Sequence, residues 1–510
     1  MKKLHTVEEL HSFRHRILNE KNVQNDKPVL VISAGTCGQA SGANDIIRVT
    51  KRYILKQGIQ NKISIKITGC HGFCQIEPFI LVEPGQQLYP NLSMDDVPAI
   101  IDAAIGNYVV DSLIYKDSLT QEQCHHQKDI PFFKKQIRTI LGNNQKLDPI
   151  RILSYVEQDG YAAVEKIFLH PDPKWIIDEV QKSGIRGRGG AGFPTGKKWE
   201  FAHSSGKKGE QKYIICNADE GDPGAYMDRA VLEGNPHAVI EGMIIASVAI
   251  GATKGIFYVR NEYPLAIKHT LIALRQARDF GILGKNIMGT GIDFDIEIFK
   301  GAGAFVCGEE TALIKSIEDL MGEPRQRPPF PIEKGLWGHP TCINNVETLA
   351  NIPVIINKGG DEYAKVGIPG NTGTKIFSLV GKIKNTGLVE VPLGTKISEV
   401  VYDIGGGSVG DAKIKAVQTG GPSGGCIPAS MFDLSISYDS LAEAGSIMGS
   451  GGMIVMDENT CMVDVAKYFM GFLKAESCGK CFTCRKGTQR MYEILDDISR
   501  GQATLDQLDL

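Results

Sequence analysis

The chain has 510 residues, of which 42% are hydrophobic and 23% charged, with a formal net charge of −3. That length leaves room for three or four domains at roughly 100–200 residues each. The near-neutral balance lacks the basic bias of a nucleic-acid binder. No apolar run approaches membrane-spanning length: even "AVIEGMIIASVAIGA" carries Glu241 and reads as a buried helix. The opening "MKKLHTVEELHSFRHRILNEK" has charge but no apolar core, unlike a secretory signal. The 12 cysteines are bunched, a pattern of metal sites or catalysis in a reducing compartment more than of disulfides. A soluble, cytoplasmic protein without membrane insertion is expected.

In chain order, residues 1–27 predict a polar helix. "KPVLVISAG" then reads as a buried strand, "NDIIRVTKRYILKQG" as an amphipathic helix and "KISIKITGC" as an alternating strand. "FILVEPGQQLYPNL" predicts a hairpin about Pro84-Gly85, and "DDVPAIIDAAIGN" a closing helix. This βαββα order over residues 28–110 fits a thioredoxin-like α/β layer. Residues 111–150 are mixed and polar, a connector; Cys124-His125-His126 there looks metal-like, but adjacent residues in such a segment are commonly just exposed. Residues 151–365 alternate strands and helices with glycine-rich junctions, the pattern of an α/β ligand-binding domain. Residues 366–436 predict a compact β-rich module, and residues 437–510 a helical unit around a cysteine turn. Cys461, in "MDENTCMVDVAKYF", reads as a small core residue in mid-helix, with a metal site completed beyond Leu510 as the alternative. "GQATLDQLDL" looks like a helix cut short, so a truncated portion of a longer subunit is expected.

Five stretches carry residues suited to chemistry. In "SGIRGRGGAGFPTGKKWEFA", Gly187, Gly189 and Gly192 satisfy G-x-G-x-x-G. A dinucleotide fold would place a strand before this loop, whereas "KWIIDEVQKSG" reads as a helix, so the ordinary fingerprint fails its context. What remains is backbone able to approach a phosphate, charge from Arg188, Lys197 and Lys198, and ring faces from Phe193, Trp199 and Phe201. The alternative is a glycine-rich surface turn beside a basic helix. "KYIICNADEGDPGAYMDR" ends a strand with Asn217, Asp219, Glu220 and Asp222, placed to grip ribose hydroxyls or a flavin edge, or else to form a solvated acidic turn. In "GAFVCGEETALIKSIEDL", Glu309 and Glu310 open a helix where the macrodipole favours carboxylates. Asn344 and Asn345 in "PTCINNVETLANI" can read an amide-rich ring or cap a helix. In "ESCGKCFTCRKGTQR", Cys478, Cys481 and Cys484 have C-x-x-C-x-x-C spacing, one ligand short of a cubane; zinc is the chemical alternative.

Together "GRGGAGFPTGKKW", "CNADEGDPG", "CGEETAL", "RQRPPFP", "INNVETL" and "ESCGKCFTCRKG", in this order, closely resemble the flavin-bearing NADH dehydrogenase subunit family. That family includes the 51-kilodalton subunit of respiratory complex I and relatives in soluble NAD-linked hydrogenases and formate dehydrogenases. The resemblance covers about residues 150–510. It implies an α/β multidomain protein with a Rossmann-like FMN and NADH domain, a β-grasp domain and a helical 4Fe–4S domain. It implies an FMN site of Gly187, Arg188, Gly190, Lys198, Asn217, Asp219, Glu220, Gly308, Glu309, Glu310, Asn344, Asn345 and Thr348. NADH would lie above it against Phe193, Phe201 and Phe330, with contacts from Asp222 and Arg327. Asp222 stands where relatives often carry Glu, Arg327 where they often carry Lys, and Phe305 where Tyr is common. Cys478, Cys481 and Cys484 would bind a 4Fe–4S cluster, the fourth cysteine lying further along than this chain extends.

The front of the chain resembles the thioredoxin-like 2Fe–2S domains of the hydrogenase- and formate-dehydrogenase-associated relatives. Those use four cysteines; here Cys37, Cys70 and Cys74 are present, with Ser33 or Ser41 near the fourth position. The implied activity is that of a diaphorase: electrons from NADH pass through FMN to a 4Fe–4S cluster and on to partner iron–sulfur and catalytic subunits. A flavin suits that position because it exchanges paired electrons with a nicotinamide and single electrons with a cluster. Hydride transfer needs alignment more than an acid or base, so no proton-transferring catalytic residue is expected. The setting implied is a soluble hydrogenase- or formate-dehydrogenase-type complex, with electron bifurcation to ferredoxin as a further option. A complex I arm and a cofactor-less scaffold are the alternatives.

Overall fold

The computed structural model describes residues 3–23, 27–117 and 120–508. The β-branched run of β1 (Val29–Ser33) pairs in parallel with β2 (Ser64–Thr68) and antiparallel with β3 (Ile80–Glu83). β4 (Gln87–Tyr89) completes the order β2-β1-β3-β4 and forms with β3 the hairpin expected about Pro84-Gly85. Helices Ala43–Gln57 and Val97–Gly106 bring Ile46, Ile54, Ile100 and Ile101 into a core with Leu30, Ile32, Ile80 and Val82. The helix expected over residues 1–27 runs Val7–Val23, and residues 24–26 lie outside the described residues.

Residues 111–150 differ from the polar connector expected. Ile130, Phe132 and Phe133 are buried, and the Phe132 ring stacks on Phe73 with centroids 4.0 Å apart and planes 9° from parallel. They share a core with Phe377, Val389 and Val391, so this segment mortars the first sheet to the last. Three apolar residues among charged neighbours carry little weight in composition, yet they supply the contact area.

β5 (Tyr213–Ala218), β6 (Lys254–Arg260), β7 (Asp295–Gly301) and β8 (Thr341–Asn345) form a wholly parallel sheet in the order β7-β6-β5-β8. Parallel neighbours need crossovers, and helices Pro236–Ile250 and Pro264–Phe280 supply them. The first is buried on nearly every side, as its sequence predicts. Its Glu241 is tolerated because the carboxylate accepts backbone N–H groups from Tyr161, Ala163 and Val164 at 2.9–3.1 Å, together with the Tyr155 hydroxyl.

A short ribbon, β9 (Gly367–Ile368) with β10 (Asn371–Thr372), leads into a five-stranded sheet. This contains β11 (Thr374–Gly381), β12 (Gly387–Pro392), β13 (Ile414–Thr419), β14 (Gly425–Pro428) and β15 (Gly452–Asp457), in the order β12-β11-β15-β13-β14. β15 corrects the expectation of a purely helical unit over residues 437–510: it is the central strand, parallel to β11 and antiparallel to β13. Its pairing with β11 spans some seventy residues of chain, which no local pattern reveals. Beyond it, helices Met462–Glu476 and Phe482–Ser499 pack on one another around the cysteine turn. Cys461 is not in mid-helix; it is exposed at the N-cap, because the helix starts only at Met462.

Lys375 on β11 has no exposed side-chain surface and gives its ammonium to Glu347 at 2.5 Å. Glu347 sits on helix Val346–Lys358, directly after β8, and also accepts the Ile376 N–H at 2.9 Å. Glu347→Ala strands a buried ammonium and is expected to cost about 3–5 kcal/mol, measured by chemical denaturation.

Candidate functional site

In the parallel sheet, β5 is followed by β6 on one side while β8 lies on the other, so the chain's direction of winding reverses between β5 and β8. Crevices form at the carboxyl ends of strands at such a switch. Asn217 ends one wall on β5, and Asn344 and Asn345 end the other on β8. Asn345 caps the following helix, its Oδ1 accepting from Thr348 N at 3.2 Å, while its Nδ2 donates to Asp228 Oδ2 at 2.5 Å. Asn344 Oδ1 accepts from the buried Trp199 Nε1 at 3.0 Å. The cap reading of Asn345 and the site reading hold together, for both asparagines also border the crevice.

The glycine loop closes one side, between helices Pro173–Lys182 and Thr195–Ser204, with a helix before it as the sequence predicts. Gly192 has φ +63°, and a Cβ there would lie 2.5 Å from the Tyr438 ring. Opposite, Gly308 leads into helix Glu310–Ile317, which Glu309 caps by accepting from Thr311 N and Ala312 N at 3.0 Å. Arg327, Phe330, Pro331 and Ile332 complete the rim, and Arg327 pairs with Glu310 at 2.7 Å. The enclosed volume is about 580 Å³, within the usual size of cofactor sites. A second cavity, among Tyr155, Asn235, Glu241 and Lys358, holds only about 180 Å³.

Of the residues expected from the sequence, Gly187, Lys198, Asn217, Gly308, Glu309, Glu310, Asn344, Asn345 and Thr348 line the crevice, as do Phe193, Phe201, Arg327 and Phe330. The three phenylalanines are 42–47% exposed, leaving ring faces open at the mouth. Lys198 places a cation on the wall, its Nζ donating to Ile343 O at 3.1 Å.

Five expected residues do not line it. Arg188 is fully buried and braces the loop, donating to Thr372 O at 2.7 Å while its N–H reaches Thr348 Oγ1 at 2.8 Å. Glu220 turns inward to accept from the N–H groups of Asp228 and Arg229 at 3.0 and 3.1 Å. Asp222 accepts from Ser450 at 2.7 Å, away from the rim. Gly190 packs against Gly449, and Asp219 stands behind Gly308. Sequence reasoning did not name Ala191, Thr195, Pro331, Ile332, Thr341 and Ile343 among the lining residues. Gly189 and Gly192 were signalled by the glycine motif itself; Ile343 gives no signal in the sequence.

The cysteine turn rests on the same wall. Glu476 accepts the Phe305 N–H at 2.9 Å, Phe472 meets Phe305 edge-on at 5.1 Å, and Lys480 reaches Glu323 at 3.2 Å. Cys478 is partly exposed, and Cys481 and Cys484 are exposed. Among the described residues no three Cys, His, Asp or Glu side chains are gathered as a single-ion site. Three cysteines at C-x-x-C-x-x-C spacing on one turn would supply three of the four thiolates of a cubane. No fourth thiol joins them among the described residues.

In the first sheet's unit, Cys70 and Cys74 lie 3.7 Å apart, with Cys37 beside them and Arg229 Nη2 3.7 Å from its sulfur. A hydrogen bond from Cys74, and then the Arg229 charge, draw the Cys37 thiol down to about 7. Ser33 commits its hydroxyl to Glu77 at 2.5 Å. The three thiols are one short of the four that a 2Fe–2S cluster uses.

Residues 180–354 match the family model described as the Nuo51 FMN-binding domain, and residues 464–510 that of the NADH-ubiquinone oxidoreductase-F iron-sulfur binding region. Over 376 residues the chain is 55% identical to the NADP-reducing hydrogenase subunit HndC of Solidesulfovibrio fructosivorans, covering 74% of this chain and 76% of that one. It is 45% identical over 350 residues to an NADH-quinone oxidoreductase subunit of Aquifex aeolicus, covering 69% and 80%. A solved NAD+-reducing [NiFe]-hydrogenase in the H2-reduced state superposes with a TM-score of 0.65 at 30% identity, covering 95% of this chain and 78% of that one. Lys198→Met removes the wall's cation and is expected to weaken FMN binding about 10- to 100-fold, read by flavin fluorescence titration.

Proposed function

Because the chain belongs to the family of NADH-quinone oxidoreductase and related hydrogenase subunits that carry the Nuo51 FMN-binding domain, we propose that the crevice between β5 and β8 seats FMN, with NADH entering over it. The chain is an NADH-oxidising flavin and iron–sulfur subunit. The assignment of individual residues is our reading. Lys198 and the glycine loop's N–H groups would meet phosphate, and Asn217, Asn344 and Asn345 would border the ring system. The open faces of Phe193, Phe201 and Phe330 would align the nicotinamide. Glu309 and Glu310 bring negative charge to the wall, which disfavours prolonged retention of an anionic dinucleotide. When bound, the flavin accepts electrons in pairs and releases them singly.

One observation carries this reading: Glu476, at the edge of the cysteine turn, accepts the N–H of Phe305, in the short segment that leads into the crevice wall at Gly308. A shared wall puts the expected electron exit beside the expected entry. On this reading residues 28–110 form a thioredoxin-like unit and residues 151–365 the flavin unit. The β-grasp unit of residues 366–436 then also takes in β15. The greater identity to the hydrogenase subunit than to the Aquifex aeolicus protein favours a hydrogenase-type complex in the cytoplasm, with iron–sulfur and catalytic partner subunits. No helix among the described residues is long and apolar enough to cross a membrane.

The test is anaerobic spectroscopy of the purified chain reconstituted with FMN, iron and sulfide. NADH is expected to bleach the flavin bands in wild type and in Cys481→Ser alike. The broad iron–sulfur absorption that dithionite bleaches should be lost only in the variant. A wild-type chain that stays colourless with FMN would overturn the reading.

A further inference from the structure

One carboxyl group stands behind the crevice with an oxygen that has no hydrogen-bond partner. Asp219, just after β5, has 1% of its side chain exposed, and its Oδ2 lacks any hydrogen-bond partner. A Cβ added at Gly308 would lie 3.6 Å from that oxygen, so only a glycine separates it from the cavity. The backbone around it is laced tightly: Asp219 N donates to Asn217 Oδ1 at 3.0 Å, and Asn217 Nδ2 to Gly308 O at 2.9 Å.

On its far side Arg260 Nε is 3.8 Å from Oδ1, but the same guanidinium also serves Glu220 O at 2.7 Å and Glu262 at 3.2 Å. Glu262, in the loop after β6, and Glu476, beside the cysteine turn, face Asp219 with like charge; Tyr258 on β6 and Cys307 before Gly308 are the other titratable neighbours. Burial is the main influence, relieved by Arg260 and reinforced by Glu262 and Glu476, and it pushes the carboxyl up to about 7.

We propose that Asp219 takes up a proton when the flavin site is reduced and returns it as the electrons leave toward the cysteine turn. This rests on the flavin reading of the crevice. A hydride from NADH leaves NAD+ and adds one negative charge to the flavin. Beside an ionised Asp219 that charge is repelled, and a proton from solvent placed on the carboxylate removes the repulsion. As the two electrons left toward the cysteine turn, Asp219 would give its borrowed proton back to solvent, and the proton that came with the hydride would be released as well. The carboxyl lies against Gly308 of the crevice wall and feels the charge of Glu476 beside the cysteine turn.

The test is the pH dependence of the flavin midpoint potential in the full chain holding FMN. Wild type is expected to bind one more proton per two electrons than Asp219→Asn in a pH window opening at about 7. Glu262→Gln removes a like charge outside the crevice, which should lower the Asp219 titration and move the opening of that window to lower pH. Equal proton counts in wild type and Asp219→Asn, or an unmoved window in Glu262→Gln, would overturn the proposal. Should Asp219→Asn fail to hold flavin, the direction of the Glu262→Gln shift decides. A wild-type chain that binds no FMN would instead defeat the flavin reading.

Discussion

An ammonium with no exposed surface lies at the heart of this protein. Lys375 and Glu347 are each essentially buried, and removing two charges from water is costly unless the remaining hydrogen-bonding capacity is met. Here it is met: Lys375 also donates to Ile376 O, and Glu347 also accepts from Ile376 N, both at 2.9 Å. The pair fixes β11 against the helix that Asn345 caps, and Asn345 borders the crevice. One step further in, Asp228 accepts from Asn345, while Glu220 holds the Asp228 N–H. Burial first, and then the neighbouring Glu220, raise the Asp228 carboxyl well above its ordinary range. Burial raises Glu220 in the same way, which lessens the like charge gathered around Lys375 in this dry interior. The crevice floor is therefore laid on a hydrogen-bonded polar network, not merely on apolar packing.

The short helix Met227–Gly234 extends that base to the first sheet. Asp228 points to the crevice side, Arg229 approaches Cys37, and Glu233 accepts the Thr36 N–H at 2.8 Å. Gly69 and Gly234 pass so closely that a Cβ on the first would lie 2.3 Å from the Cα of the second. A side chain at Gly69 would push the two units apart, and one at Gly234 would strike Asn144. On the opposite side, residues 305–308 carry the cysteine turn through Glu476. Each set of thiols is thus tied to the flavin unit by a carboxylate accepting a backbone N–H. The set at residues 478–484 lies within the segment that matches the iron-sulfur binding region.

Several side chains named from the motifs serve the site at one remove. Arg188 was expected to offer charge, yet it spends its guanidinium on carbonyls of Thr372 and Arg186. Glu220 was expected to meet a cofactor and instead orders the start of a helix. In both cases the residue type was right for the neighbourhood and the direction of the side chain was not legible. Motif spacing specifies where the backbone turns; it leaves open which of two adjacent side chains faces in.

By itself the sequence determined the glycine loop, the acidic strand end, the paired asparagines and the three-cysteine turn, because each depends on short-range backbone chemistry: positive φ, strand termini, helix caps and ligand spacing. It also predicted the buried helix of residues 236–250 and the hairpin at Pro84-Gly85, where local periodicity and turn residues suffice. Only the tertiary structure decided that β15 is a central strand, that Phe132 and its neighbours join two sheets, and that Asp219 faces a glycine-thin wall with its Oδ2 lacking a hydrogen-bond partner. These depend on pairings between distant segments and on desolvation. Neither is encoded by a residue's immediate neighbours; both arise when the folded chain brings separated groups together and excludes water between them.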